Sequence, residues 1–179
     1  MTTRVLAISG SLRAASHNTQ LLRLAQEHAP DGVEILIWDG LAEMPAYNED
    51  LEVDPGEAVD GLRALLSDVD ALLIATPEYN FGVPGALKNA LDWASRPYGA
   101  SPLTGLPTAV IGASPSTFMA AQSRGDLRRA LALSGALVDD ETTGFHAERL
   151  GSDPEAVAAE VAEVADVVRA LTARVGVPA

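Results

Sequence analysis

Along the chain, short continuous runs of apolar residues alternate with longer stretches in which apolar residues recur every three or four positions. A short apolar run bordered by turn residues is typical of a strand that is buried on both faces of a sheet. The runs predict strands at residues 4–9, 33–38, 71–75, 108–112 and 137–138.

The stretches with three- and four-residue spacing predict amphipathic helices. They lie at residues 19–28, 57–66, 84–95, 118–133 and 155–174. Ser152 or Asp153 is the predicted cap of the last helix, with Pro154 behind it. Because strands and helices alternate throughout, we expect an α/β fold in which one parallel sheet of five strands carries helices on both faces.

Length and composition indicate one globular domain over residues 1–179, with 47% apolar residues and no repeat or linker. No apolar run approaches the roughly 20 residues that cross a bilayer. The first strand begins almost at residue 1, which leaves no room for a signal peptide, and the chain has no cysteine. We therefore expect a cytoplasmic protein without a membrane partner, disulfide or thiolate metal site.

The formal net charge of −13 disfavours nucleic acids and anionic membranes as partners. An anionic ligand would meet a repulsive field, so its site must supply positive charge locally. The three histidines are scattered without metal-ligand spacing, and we expect no metal site. His17 lies in a polar loop, where it is either a phosphate contact or an exposed bystander.

The first polar loop, SGSLRAASHN at residues 9–18, lies between the first predicted strand and the first predicted helix. The first turn of a helix presents backbone N–H groups without internal partners, and its dipole favours an anion. Arg13 adds a planar cation that is suited to phosphate. The residues predict a phosphomonoester site, and the alternative is an ordinary capped turn. The motifs of P-loop and dinucleotide-binding proteins are both absent.

The second polar loop, at residues 76–82, follows the most apolar strand. Pro77 restricts the residue before it to extended backbone, and Asn80 and Gly82 tolerate positive φ, so we expect a shaped loop. Tyr79 and Phe81 bring aromatic faces to it, which suits a planar heterocycle with hydrogen-bonding edges. The alternative for these rings is a place in the core or a subunit interface. We assign Glu78 no proton-transfer role.

A third polar loop lies at residues 112–118, and all three loops follow strands whose carboxyl ends meet at one edge of a parallel sheet. We expect the loops to converge on one ligand. The segment 83–97 places small residues beside leucines and Trp93, so it is our candidate contact for a homodimer. Trp93 itself is more simply a core or interface residue. Lys88 and Asp92 have the spacing of a helical ion pair.

Two segments, GSLRAASHN at residues 10–18 and TPEYNFGVPGALKNALDWASRP at residues 76–97, closely resemble the NAD(P)H-dependent FMN reductase family. This flavodoxin-like group includes chromate and quinone reductases. The resemblance implies a three-layer fold with strand order 2-1-3-4-5, non-covalent FMN, NADPH or NADH as co-substrate, and a homodimer or tetramer. The implied cofactor-binding residues are Ser11, Arg13, Ser16 and Asn18 at the phosphate, and Pro77, Glu78, Tyr79, Asn80, Phe81 and Ser114 around the ring.

One segment departs from the family pattern. Many relatives carry a glycine pair and an arginine before the helix that follows the third loop, where this chain has Met-Ala-Ala-Gln at residues 119–122. Replacing glycine by alanine stiffens the backbone, and Gln122 takes the place of the arginine. The role of residues 112–122 is therefore the least defined part of the predicted site.

The resemblance implies an enzyme that passes hydride from NAD(P)H through FMN to a small acceptor such as a quinone, chromate, an azo dye or free flavin. The cofactor carries this chemistry, so we expect no catalytic side chain. One alternative is a flavodoxin-type FMN electron carrier without nicotinamide activity, but Arg13 and the helix at 84–95 favour the reductase. A flavin-free regulatory domain would need clustered acidic residues where the chain has Ser9, Gly10 and Ser11.

Overall fold

The computed structural model describes residues 2–140, 142–151 and 154–176. Within them the strands are β1 (Thr3–Ser9), β2 (Val33–Trp38), β3 (Ala71–Ala75), β4 (Pro107–Ser114), β5 (Leu137–Val138) and β6 (Thr143–His146). The α-helices are α1 (His17–Glu27), α2 (Glu57–Asp68), α3 (Gly85–Ala94), α4 (Ala121–Leu133) and α5 (Pro154–Thr172). None of these helices is long and apolar enough to cross a membrane.

The strands form one parallel sheet in the order β2-β1-β3-β4-β5, which confirms the predicted 2-1-3-4-5 order. The fifth position is divided between two short strands. β5 pairs with Pro107 and Thr108 of β4, and β6 pairs with β4 from Ile111 to Ser114. The sequence predicted β5 but not β6, because only Phe145 in the latter is a buried apolar residue.

Each face of the sheet is covered by its own hydrophobic core. Val5 and Ala7 of β1 point into a core with α1 and α5, whereas Leu6 and Ile8 point into the other core with α2, α3 and α4. Successive side chains of a strand point to opposite faces, so every residue of this strand segment is apolar. The prediction of helices on both faces is confirmed.

Two helix starts differ from the predictions by more than one residue. Helix α1 begins at His17, two residues early, because Ser16 caps it. Helix α4 begins at Ala121 rather than at 118, because Met119 and Ala120 adopt left-handed backbone with φ of 48° and 60°. The predicted cap of α5, Ser152 or Asp153, lies outside the described residues.

The acidic segment between β2 and α2 is anchored on α3 by Trp93. This side chain is buried, its Nε1 donates to Pro45 O at 2.8 Å, and its ring meets Tyr47 edge-on at 4.9 Å. Trp93 is therefore a core residue within its own chain, as the simpler interpretation of the sequence held. The predicted ion pair between Lys88 and Asp92 is present, at 2.5 Å.

Candidate active site

The three polar loops converge at the carboxyl edge of β1, β3 and β4, where they line a cavity of about 290 Å³. The residues that line it are Ser11, Arg13, Ser16, His17, Asn18, Pro77, Glu78, Tyr79, Ala113, Ser114 and Pro115. Eight of the ten predicted site residues are in this group; Asn80 and Phe81 are not. The expected convergence of three loops that lie 30 or more residues apart in the sequence is therefore present.

The amino terminus of α1 faces this cavity. Ser16 Oγ accepts the N–H of Thr19 at 3.3 Å, which leaves the N–H groups of His17 and Asn18 without an acceptor in the described part of the chain. Arg13 is exposed beside them, and its guanidinium donates to Ala15 O at 2.8 Å. Free helical N–H groups together with a cation give this corner of the cavity the properties of an anion site.

Asn18 also has a structural role that its sequence position did not indicate. Its side chain is 3% exposed, and the amide bonds the backbone of Ala113 at both of its ends. The side chain therefore joins α1 to β4. Its backbone N–H and the second Nδ2 proton are the groups that residue 18 can offer a ligand in the cavity.

The second loop reverses direction in a tight turn between Tyr79 and Gly82. Each of these two residues donates its backbone N–H to the carbonyl of the other, at 3.2 and 3.1 Å. The residues between them, Asn80 and Phe81, have φ of 51° and 60°. The expected shaped loop is present. Asn80 adopts the positive φ that it tolerates and Gly82 does not, because in this turn type the two central residues take the left-handed conformation.

The turn places two aromatic side chains at the edge of the cavity. The Tyr79 hydroxyl lies 3.4 Å from Ser11 Oγ, so a hydrogen bond links the first and second loops across the cavity. Phe81 is 77% exposed and is not among the residues that line the cavity. Neither ring is in the core, which removes that alternative for both within the described chain.

The Glu78 carboxylate caps helix α4, a role that the sequence did not reveal. Its Oε2 accepts the backbone N–H groups of Gln122 at 2.9 Å and Ser123 at 3.1 Å. Two charge-assisted bonds to a helix amino terminus fix the position of the carboxylate at the cavity wall. The spacing of 44 residues left no local signal for this cap.

Below this cap, two polar residues of α4 tie the second loop to the sheet. Ser123 Oγ and Thr76 Oγ1 share a hydrogen bond of 2.8 Å, and both residues are buried. Arg124 is 7% exposed and donates to Met119 O and to Thr142. Burial lowers the pKa of the Arg124 guanidinium, and the nearby Glu78 carboxylate acts in the opposite direction.

A glycine in β4 makes room for this network. A Cβ on Gly112 would lie 2.6 Å from Thr76 O and 3.0 Å from the side chain of Arg124, so no other residue fits there without displacement. Sequence reasoning missed Ser123 and Arg124. Their signal is weak: they are polar residues at positions where a helix that packs on a sheet normally presents apolar side chains.

Comparisons with known proteins place this arrangement in a family. Residues 3–147 match the family model described as NADPH-dependent FMN reductase. The chain belongs to that family. An NAD(P)H-dependent FMN reductase of Pseudomonas aeruginosa is 44% identical over 129 residues, which are 72% of this chain and 69% of the relative. A quinone reductase of Pseudomonas putida is 45% identical over 112 residues, 62% of this chain and 60% of the relative.

A solved structure agrees with this FMN reductase along nearly its whole length. FerB, a flavoenzyme NAD(P)H:(acceptor) oxidoreductase of Paracoccus denitrificans, matches with a TM-score of 0.83 and 33% identity over 96% of this chain and 98% of its own. The family therefore makes the protein an NAD(P)H-dependent oxidoreductase whose cofactor is FMN.

The residues of the cavity fit FMN on chemical grounds. The free N–H groups at the start of α1 and the guanidinium of Arg13 match a phosphate dianion, in a chain that otherwise carries a large negative charge. Pro77 and Tyr79 present backbone and ring surface on the opposite wall. The carboxylate of Glu78 is bonded to the amino terminus of α4, whose dipole offsets part of its negative charge.

Proposed function

We propose that this FMN reductase transfers electrons from NADPH or NADH to quinones, with FMN held in the 290 Å³ cavity between the three loops. The observation that carries the proposal is the convergence of an anion site on α1 with an aromatic, backbone-rich wall from the second loop, within one cavity. A quinone as acceptor is supported by the relative from Pseudomonas putida, which is named a quinone reductase.

In the proposed complex, the first loop binds the FMN phosphate. Arg13, the hydroxyls of Ser11 and Ser16, and the backbone N–H groups of His17 and Asn18 line the corner where the phosphate would lie. Ser16 can donate its hydroxyl proton to a phosphate oxygen while its oxygen still accepts from Thr19. The cavity thus supplies several donors and one full positive charge to a dianion.

The isoalloxazine ring would lie against Pro77, Tyr79 and Ser114. The backbone around Pro77 to Asn80 would meet its polar edge, and Phe81 would shield its outer rim. When bound, FMN supplies the redox chemistry, by accepting hydride from the nicotinamide and passing electrons to the acceptor. The side chains that line the cavity would hold the ring in place and exclude water from the face that lies against them.

The order of events would follow from this placement of the ring. With one face of the ring against the loops, nicotinamide and quinone would use the other face one after the other. The exchange would require no acid or base from the side chains. A ping-pong pattern in steady-state kinetics is the expected consequence.

The oligomeric contact through residues 83–97 stays a proposal, but the structure changes which residues of this segment are exposed for it. Leu87, Leu91 and Trp93 are buried in the chain's own core, so they are not available to a second copy. The outer surface of α3 continues instead into a groove against α4 in which Leu133 is 84% exposed. We propose a homodimer or tetramer, formed by a single domain over residues 1–179 in the cytoplasm, and light scattering would measure the subunit number.

The functional proposal is tested on protein loaded with FMN. Anaerobic addition of NADPH or NADH should bleach the visible absorbance of the flavin, and a benzoquinone should restore it and sustain turnover. A protein that binds FMN but is never bleached by either nicotinamide would be a flavodoxin-type electron carrier. Rapid bleaching without reoxidation by quinones would refute the proposed acceptor alone.

A further inference from the structure

A second cavity, of about 450 Å³, lies beside the flavin site on the other side of the first loop. It is enclosed by that loop, by α1 and by the end of β2, and it shares Ser11 and Arg13 with the flavin cavity. A ligand that lies over the flavin can therefore extend past Ser11 and Arg13 into this second cavity without leaving the protein surface.

The distribution of ion pairs sets this cavity apart. The chain has 12 lysines and arginines, and within the described residues nine of them lie within 4.0 Å of a carboxylate. Arg124 is buried and bonded to carbonyl oxygens. The remaining two, Arg13 and Arg23, have no carboxylate partner in the described chain, and both line the second cavity.

Unpaired arginines are unusual in a protein with a net charge of −13, because carboxylates are abundant on its surface. Arg13 and Arg23 are both exposed, so their guanidinium groups can bind an anion that enters the cavity from solvent. Arg13 is expected to be engaged by FMN phosphate in the holoenzyme. Arg23 is not part of the flavin cavity, so its charge is available to a second anionic group.

The other groups of the cavity describe the rest of the ligand. Asp39, directly after β2, is exposed and without an ion pair among the described residues, and its carboxylate can accept from sugar hydroxyls. The half-buried indole of Trp38 offers apolar surface to a planar base. Two arginines and one aspartate leave the site with a net positive charge. Phosphate, sugar and base are thus each matched by a different side chain.

We propose that the second cavity binds the adenosine diphosphate half of NADPH or NADH while the nicotinamide lies over the flavin. Arg23 binds the phosphates, Asp39 accepts from a ribose hydroxyl, and Trp38 contacts the adenine. The inference rests on the proposed position of FMN, because the nicotinamide must reach the flavin from this side. The shared residues Ser11 and Arg13 lie between the two halves of the dinucleotide.

The test compares Arg23→Ala with the wild type, both loaded with FMN. Isothermal calorimetry with ADP as the probe measures the site without turnover, and we expect binding to weaken about 10- to 100-fold, the range for a lost charge-assisted bond. The KM for NADPH should rise by a similar factor with little change in kcat. Arg23→Lys should recover part of the affinity, since it restores the charge but not the planar fork.

Two controls separate this site from the flavin site. Reduced nicotinamide mononucleotide lacks the adenosine half, so its KM should be the same for the wild type and for Arg23→Ala, as should the Kd for FMN. Arg169→Ala removes an exposed arginine on α5 that pairs with Asp166, and it should change none of these values.

The results that overturn the inference differ from those that overturn the proposed function. Wild-type protein that does not bind ADP, equal ADP affinity in Arg23→Ala, or an equal loss with the mononucleotide would each refute the adenosine site. Failure of the mononucleotide and of NADPH to reduce the flavin in wild-type protein would instead refute the proposed function. ADP affinity remains measurable in that case and decides the site independently.

Discussion

The side-chain amide of Asn18 bonds both backbone groups of Ala113, with Nδ2 donating to Ala113 O at 3.0 Å and Oδ1 accepting from Ala113 N at 2.8 Å. This pair joins the start of α1 to the end of β4, across 95 residues of sequence. It fixes the distance between the proposed phosphate corner and the third loop. A side chain that lines the cavity thus positions two walls of the site by bonding the backbone of one of them.

Asn18→Ala should lower the free energy of unfolding by about 2–3 kcal/mol, because it removes two hydrogen bonds and leaves the buried Ala113 groups unsatisfied. Urea unfolding of the apoprotein measures this loss. Asn48→Ala, at an exposed cap of a short 3₁₀ turn, is the matched control and should cost less. Equal losses in the two variants would contradict the structural role of Asn18.

Glu78→Ala should destabilise the protein by about 1.5–3 kcal/mol, since the N–H groups of Gln122 and Ser123 lose a charged acceptor. Glu78→Gln keeps a neutral acceptor in the same position and should lose roughly half as much. Chemical unfolding of both variants gives the comparison, with Glu43→Ala at an exposed position as the control. Equal losses of unfolding free energy in Glu78→Gln and Glu78→Ala would contradict the role of this side chain as an acceptor for the N–H groups of α4.

Arg13→Ala should weaken FMN binding by about 1.5–3 kcal/mol, or roughly 10- to 150-fold in Kd, as expected for a charge-assisted hydrogen bond to phosphate. Titration of the apoprotein by quenching of flavin fluorescence measures the change. Riboflavin lacks the phosphate, so its affinity should be the same in the variant and the wild type. A variant that loses both ligands equally would place Arg13 at the ring instead.

Phe81→Gly should raise the free energy of unfolding by about 0.5–1 kcal/mol. A bulky residue in left-handed backbone costs about 1–2 kcal/mol, and Asn-Gly is the pair that this turn prefers. The side chain is 77% exposed, so little packing is lost. Phe118→Gly is the control, because Phe118 is also exposed but has negative φ; that variant should be neutral or destabilised. Thermal unfolding of the apoprotein compares the two.

The free energy of unfolding should depend on pH through the carboxyl group of Glu52, which lies in the segment between β2 and α2. Hydrogen bonds from the Tyr47 hydroxyl and from Arg96 hold the pKa of this carboxyl below its usual value. The folded state therefore binds the proton more weakly than the unfolded chain, and the stabilisation that is present above about pH 4.5 is lost as the pH falls below it.

Urea unfolding of the wild type and Glu52→Gln between about pH 6 and pH 3 measures this dependence. The wild type should be the more stable at the upper end, and the difference should shrink as the pH falls. Glu27→Gln, at an exposed residue of α1, should show no such convergence. A constant difference across the range would contradict the role of the Glu52 carboxylate.

Most of the fold could be predicted from the sequence, because its signals are local. The apolar run at Val5–Ile8 and the spacing of Leu21, Leu22 and Ala25 depend only on the period of a strand or a helix. The loops after β1, β3 and β4 follow from the parallel arrangement, which brings the carboxyl ends of strands together. Strand order and cofactor were expected from the resemblance of two motifs to a family.

The contacts that shape the site could not be predicted in the same way. Glu78 and Gln122 are 44 residues apart, and Asn18 and Ala113 are 95 apart. Whether such groups meet depends on the register of β3 against β4 and on the packing of α1 and α4. The left-handed backbone of Phe81 and Ala120 also has no sequence signal, since neither residue favours it.

The sequence by itself determined which elements form, which loops are polar and where the arginine of the proposed phosphate site lies, because these properties depend on neighbours within a few residues. Only the tertiary structure decided which polar groups are engaged and which are free. In the tertiary structure, the Asn18 amide and the Glu78 carboxylate are bonded to the protein's own backbone. Arg13 and Arg23 line one cavity, and neither forms an ion pair with a carboxylate of the described residues. The reason is physical: a hydrogen bond or an ion pair depends on distances of a few ångströms, and packing sets those distances.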